Sequence, residues 1–405
     1  MNRAAIAAGS RQPSWRPVLV LTAFVAAAGH TGLWGQSGAT GAEADAAACS
    51  RGDEALAARQ WQAAHEFYAE CLRTGKPRFE ILSNMGTAES HLGMKEDAIG
   101  SYEKALVLAP GNAKIEYNLA LTHVEAGNYS AAVDHLLQLR KAASDLRYEE
   151  LLAFCYYHLG HYSLAARAAE KVQAADPDDA ANALILGSAY TRMGEYDKAL
   201  PLITFALKNA GSADGHLIMG ETLLGLRHYH PAMEELAQAA QIQPELPGLH
   251  TALGIGKVGL GDSRSAVTEF TLALSQDPLD YQANYYMGRL SRLDGDVPGA
   301  RKYLEAADRL HPGSPEVIFE LAAISVSEHH YAEAMPLLAK VIAQQPDHRE
   351  AHFLLAECDQ KTGNVEAAKK ERAIFEKLRG EQQDQGSPAH KSDNQDNSSP
   401  FAEKP

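Results

Sequence analysis

Hydrophobic and small residues in this chain fall into short blocks at three- and four-residue spacing, and the blocks come in pairs. The stretch FEILSNMGTAESHLGMKEDAIGSYEKALVLAPGN, residues 79–112, shows one pair. Leu82, Gly86, Ser90 and Leu92 make a first stripe, and Ala98, Tyr102, Ala105 and Leu106 make a second, each with the period of one helix face. Gly93 stands between the stripes, where a left-handed residue would stop the first helix. Pro110 closes the second, because proline brings no N–H to the helical ladder. The pattern predicts a helix, a tight turn and a second helix.

The unit returns about every 34 residues, ten times, starting near residues 45, 79, 113, 146, 180, 213, 247, 281, 315 and 349. Position 8 of the unit reads Gly52, Gly86, Ala120, Ala153, Gly187, Gly220, Gly254, Gly288, Ala322 and Ala356. Position 20 reads Ala64, Ala98, Ala132, Ala165, Ala199, Ala232, Ala266, Ala300, Ala334 and Ala368. Where two helices cross closely, a large side chain would push the axes apart, so this register of small residues marks the contact inside each hairpin. Alanine is frequent at position 27 as well (Ala105, Ala206, Ala239, Ala273, Ala307), where the next unit would dock. Aromatic residues at position 17 (Trp61, Tyr129, Tyr162, Tyr196, Tyr229, Tyr331) are placed to fill the wedge between units. A repeat of this length stacks on its neighbours into a solenoid. The expectation is one all-α array over residues 45–380, with the last unit as a cap, rather than two or three globular domains. Pro201 and Pro336 fall near the start of second helices, where little distortion is expected.

The small residues, the glycine at the turn, the aromatic after it and the closing prolines (Pro110, Pro177, Pro244, Pro278, Pro312, Pro346) together resemble the tetratricopeptide repeat. The resemblance implies a right-handed α-solenoid superhelix of tandem helix hairpins and a non-catalytic binding scaffold. Two departures stand out. The units starting at 113 and 180 lack the closing proline, and Arg372 replaces an apolar residue in the last unit, as suits an outer face that meets water.

The first residues follow another pattern. Residues 1–16 carry Arg3, Arg11 and Arg16 and no acid, residues 18–29 read VLVLTAFVAAAG, and a small, polar stretch follows. A basic, then apolar, then small sequence is that of an export signal, so residues 1–35 are expected to be a signal peptide or a retained membrane anchor over residues 17–35, with 36–44 as a linker. The expected location is the periplasm or the secreted space. Residues 381–405 are polar, carry too few apolar groups to build a core, and are expected to be disordered. The formal charge is −15, and loss of the leader arginines would make it more negative. An acidic chain does not bind nucleic acid through the phosphate backbone. Any membrane association would run through the N-terminal segment alone.

Chemistry-bearing sets are sparse. The histidine pairs His158/His161, His228/His230 and His329/His330 sit near turns, where a metal would still need a third converging ligand; exposed turn histidines are the expectation. No catalytic set, cofactor motif or metal site is expected. Cys49 and Cys71 fall on the two helices of the first unit, so either a disulfide or two buried thiols fits, whereas Cys155 and Cys358 stand too far apart along the array to meet.

The family resemblance implies a concave surface lined by the first helix of each unit. There the chain places Tyr117, Leu121, Phe154, Tyr157, Leu184, Leu217, Ile255, Tyr285, Arg289, Arg292, Phe319 and Phe353, an apolar and aromatic lining suited to a protein or peptide partner. Two patches are sharper: an aromatic cluster of Tyr117, Leu121, Phe154 and Tyr157, and the set Tyr285, Arg289 and Arg292, which could take a carboxylate or pair with Glu316 or Glu320. The family's Lys/Asn pattern for peptide carboxylates is not reproduced, since Ser83 and Thr87 stand at two of its places. The reading is a non-catalytic scaffold of the cell envelope or exported space, serving assembly or secretion. Its alternatives are a self-associating structural protein, through Ala368, Ile374, Phe375 and Leu378, and a recruiting subunit of a carbohydrate-handling complex.

Overall fold

A computed structural model describes residues 41–385. All its regular elements are helices, and no strand occurs among the described residues. They gather into two compact units that divide between Asn209 and Ala210, where the sequence pattern alone suggests one array. The N-terminal unit holds α1 (Gly41–Ala57), α2 (Trp61–Thr74), α3 (Phe79–His91), α4 (Lys95–Leu108), α5 (Ala113–Glu125), α6 (Tyr129–Ala142), α7 (Leu146–His158), α8 (Tyr162–Ala175), α9 (Ala180–Arg192) and α10 (Tyr196–Asn209). The C-terminal unit holds α11 (Ala213–Gly225), α12 (Tyr229–Ile242), α13 (Leu249–Gly259), α14 (Ser263–Gln276), α15 (Tyr281–Leu293), α16 (Val297–Leu310), α17 (Pro315–Ser327), α18 (Tyr331–Gln344), α19 (Arg349–Lys361) and α20 (Val365–Gln385). Each odd-numbered helix packs on the next as a hairpin, and within each unit successive hairpins stack.

The expected leader, residues 1–35, lies outside the described residues, as does the tail beyond 385. The helical boundaries differ from the sequence expectation at both ends. α1 begins at Gly41, inside the stretch expected to be a linker, and α20 runs past residue 380, where Lys377 pairs with Glu381 one turn further on. No described helix is long and apolar enough to cross a membrane.

The small-residue register closes the hairpins. Every alanine at position 20 is buried, nine of them completely. At position 8 the glycines lie directly against the side chain at position 24. A Cβ on Gly52 would come within 2.6 Å of the Tyr68 ring, one on Gly187 within 2.6 Å of Ile203, and one on Gly254 within 2.5 Å of Phe270. The turns inside hairpins need a left-handed residue, and glycine supplies it at Gly93, Gly127, Gly160, Gly194, Gly261, Gly295 and Gly363. Arg59, Arg227 and His329 take the same conformation at the equivalent place, with φ of 57°, 60° and 64°. First helices are capped from the preceding loop: Asn112, Asp145, Asp179, Ser212, Asp280 and Ser314 accept from backbone N–H groups of the first turn. α10 and α18 stay unbroken through Pro201 and Pro336.

The aromatic residues at position 17 join successive hairpins. Trp61 stacks on His91 of the next hairpin at 4.0 Å between ring centroids, and Tyr129 on His158 at 4.7 Å. The ring of Tyr229 lies where a Cβ on Gly259 would stand. The first hairpin carries one further restraint, a disulfide between Cys49 and Cys71 with 5.2 Å between the Cα atoms. Cys155 and Cys358 are buried free thiols, and burial pushes them up to about 12 and about 11.

Candidate partner-binding surface

The residues expected to line the groove divide into two groups. Leu121, Leu184, Leu217 and Ile255 are buried, at 7%, 9%, 6% and 4% exposure, and offer a partner almost no surface. This corrects the groove reading for these four. Each of the four lies on a first helix that packs beside the first helix of a neighbouring hairpin, α5 beside α3, α9 beside α7, and α11 beside α13, so its inner side is partly covered by the array itself. Tyr117, Phe154, Tyr157, Tyr285, Arg289, Arg292 and Phe319 are half-buried, and Phe353 is exposed.

The expected cluster of Tyr117 with Leu121, Phe154 and Tyr157 forms differently. Tyr117 pairs with Tyr148 at 5.8 Å, and the guanidinium of Arg147 sits 5.4 Å above its ring. Phe154 and Tyr157 belong to a second group, in which Phe154 packs on His158 at 4.4 Å and on Tyr129 at 6.0 Å, and Tyr157 packs on Tyr162 at 5.6 Å. His158 is therefore the centre of an aromatic cluster and not the exposed turn residue expected from sequence; burial pulls its imidazole down to about 4. The other residues of the close histidine pairs, His161, His228, His230, His329 and His330, are exposed.

In the C-terminal unit the two arginines converge on a carboxylate of the chain itself. Arg292 donates to Glu320, and Arg289 approaches the other oxygen of the same group at 3.5 Å. The Glu320 side chain is 4% exposed, so a buried carboxylate is held here by two partly exposed guanidinium groups of the neighbouring hairpin. Of the alternatives that the sequence left open for this pair, the internal one, with Glu320, is the one that forms. Tyr285 lies against this group, and burial, then the negative charge of Glu320, raises its phenol. Phe319 packs on His348 at 4.5 Å and Phe353 on Phe375 at 5.2 Å. At the end of the array, Ala368 is buried, Ile374 is exposed, and Phe375 and Leu378 are half-buried. Arg379 lies 6.0 Å above Phe375, and Arg372 is exposed at the place where the preceding hairpins bury a side chain, so charged groups dress this outer face.

One recurrent feature escaped the sequence reading. His135 with Glu116, His216 with Glu235, His250 with Glu269 and His352 with Glu371 pair across their hairpins at 2.6, 2.7, 2.7 and 2.5 Å, always 19 residues apart. That fixed separation between His and Glu was the available signal. Glu269 also accepts from Lys257 at 2.6 Å; Lys257 and His250 hold its carboxyl below the usual range despite the opposing effect of burial. Among the described residues, no group of three or more His, Cys, Asp or Glu is arranged to hold a metal ion.

Family models described as tetratricopeptide repeat match residues 93–155 and 325–391, 251–315, and 184–211. The chain belongs to the tetratricopeptide repeat family. Tetratricopeptide repeats are scaffolds for protein interactions and generally lack catalysis, which fits the stacked hairpins described above. A curated relative, BBSome complex member BBS4 of Bos taurus, is 24% identical over 42% of this chain and 40% of its own length. Another, cellulose synthase 1 operon protein C of Komagataeibacter xylinus, is 27% identical over 32% of this chain and 11% of its own. The chain thus spans less than half the length of these relatives. A solved structure of the APC/C hetero-tetramer Cut9–Hcn1 covers 84% of this chain and 74% of its own, at 16% identity and a TM-score of 0.47.

Proposed function

We propose that this tetratricopeptide repeat protein is a non-catalytic scaffold that holds a protein or peptide partner against the first helices of its N-terminal unit, and that it works outside the cytoplasm in the assembly or secretion of envelope complexes. The observation that carries the binding reading is the set of half-buried rings of Tyr117, Phe154 and Tyr157 on consecutive first helices. Aromatic side chains that keep part of their surface are the usual anchors of protein interfaces. The Cys49–Cys71 disulfide supports export, because such bonds persist in oxidising compartments. The basic and apolar N-terminal segment supports it too, and residues 17–35 would anchor the protein if retained.

The test is co-purification from an envelope extract of the source cell with the intact chain as bait. A parallel bait carries Tyr117→Ala, Phe154→Ala and Tyr157→Ala, with its helicity checked by circular dichroism. A partner captured by the parent and lost by the folded variant supports the reading. Equal capture by both overturns the groove assignment. A second reading, a recruiting subunit of a carbohydrate-handling complex, draws on the likeness to the cellulose synthase operon protein. It predicts that the captured partner is a sugar-transferring enzyme.

A further inference from the structure

The joints between hairpins of the N-terminal unit are built from different chemistry at one register. At position 13 of the following hairpin stand His91, Glu125 and His158. Position 17 of the preceding hairpin supplies Trp61 against His91, Lys95 against Glu125, and Tyr129 against His158. The lysine joint is a polar bond, Nζ donating to the Glu125 backbone carbonyl. The other two are flat stacks, with interplanar angles of 16° and 15°. In the C-terminal unit the same register pairs Tyr229 with Gly259 and uses no imidazole. Two joints of the N-terminal unit therefore depend on a ring that can acquire a charge.

We propose that these two joints are acid-operated: protonation of His91 and His158 unseats their rings from Trp61 and Tyr129 and loosens the stacking of α3 on α2 and of α7 on α6. The described groups that face the two imidazoles are few, and Arg59 is the one like charge among them. His91 of α3 faces the indole of Trp61 on α2 and the like charge of Arg59 in the turn before it. His158 faces Tyr129 on α6 and the rings of Phe154 and Tyr157 on its own helix, with Tyr162 of α8 behind Tyr157. An imidazolium over an aromatic face gains a cation–π attraction of about 0.5–1 kcal/mol when exposed, but here both rings are half-buried, which works against the charged form. Burial wins at both places, since it lowers the imidazole of His91, helped by Arg59, and takes His158 down to about 4. The sign follows. The open joint takes up protons near the ordinary histidine value of about 6.5, and the closed joint only at lower pH. Joint strength is therefore complete above that value and falls as pH drops towards the folded-state value.

Hydrogen exchange of the full chain at pH 7 and pH 5, corrected for intrinsic rates, tests this without knowledge of the partner. Protection in α2–α3 and α6–α7 should fall by roughly tenfold at pH 5, while α15–α18 hold. The double variant His91→Phe, His158→Phe keeps flat rings and should lose the response; the exposed-site variant His161→Phe should keep it. An acid response unchanged in the double variant, or no response in the parent, overturns the proposal. A readout free of variants is the imidazole titration by nuclear magnetic resonance. Midpoints for His91 and His158 at or above the ordinary histidine value would overturn it equally.

Discussion

The phenol of Tyr68 donates a 2.7 Å hydrogen bond to Asp53 across the first hairpin, and Asn84 of the next hairpin donates to the same oxygen at 3.1 Å. The ring reaches Asp53 only because it lies flat on Gly52. The second hairpin repeats the arrangement, with Tyr102 against Gly86 and a 3.1 Å contact between its hydroxyl and that of Thr87. Tyr68→Phe should lower stability by about 1 kcal/mol, the net worth of one buried hydrogen bond, because Asn84 still satisfies Asp53. Asp53→Ala should cost more, since it leaves a fully buried hydroxyl without its acceptor. Urea unfolding of both variants checks the order.

Gly254, at position 8, and Gly100, inside α4, should respond oppositely to alanine. Gly254→Ala drives a methyl into the completely buried Phe270 ring, and such overpacking costs about 1–3 kcal/mol. Gly100, inside α4, has nothing within 4 Å of a would-be Cβ. Gly100→Ala should therefore stabilise by up to about 1 kcal/mol, the difference in helix propensity. Two melting curves decide it; equal destabilisation by both would refute the packing argument.

Arg59 and His329 sit in left-handed turns that glycine fills in most other hairpins. A side chain there costs about 1–2 kcal/mol of strain, partly offset because glycine is freer when unfolded. Arg59→Gly and His329→Gly should each raise the unfolding midpoint, by a net change of about 0.5–1 kcal/mol. His329 also touches the Tyr331 hydroxyl through Nδ1 at 2.9 Å, so the gain there should be the smaller of the two.

Those turns show what sequence could tell. The fold was legible because one small-residue register, from Gly52 and Ala64 to Ala356 and Ala368, fixes every helix pairing locally. Position 17 was legible for the same reason, and its rings do lie between hairpins. The lining was less so. Whether Leu121 or Phe154 meets water depends on how closely neighbouring first helices approach, which no single unit encodes. The Arg292 partner is 28 residues away, and sequence could narrow it to Glu316 or Glu320 without choosing. His158 looked like a turn residue because the rings that cover it come partly from another hairpin, through Tyr129.

Glu320 holds two guanidinium groups between hairpins, so its removal leaves both without their shared anion. Glu320→Ala should destabilise the C-terminal unit by about 2–3 kcal/mol, less than a fully buried pair would lose, because Arg289 and Arg292 retain access to water. Glu320→Gln should cost less, since its amide oxygen still accepts one bond. Arg292→Ala should exceed Arg289→Ala, because Arg292 is the more buried and makes the closer contact. Equal effects of the two arginine variants would show that charge, not geometry, sets the pair's strength.

The disulfide supplies the last prediction. The first hairpin has a neighbour on one side among the described residues, and Cys49 and Cys71 tie its two helices together across 22 residues of chain. Closing a loop of that length restricts the unfolded state by about 3 kcal/mol. Reduction, or the double variant Cys49→Ser, Cys71→Ser, should therefore fray α1 and α2 while leaving the later hairpins folded, because each repeat rests on its immediate neighbours. Hydrogen exchange before and after reduction reads this directly. Loss of protection confined to residues 41–75 is the expected result, and a cooperative loss through α10 would mean that the N-terminal unit melts as one body.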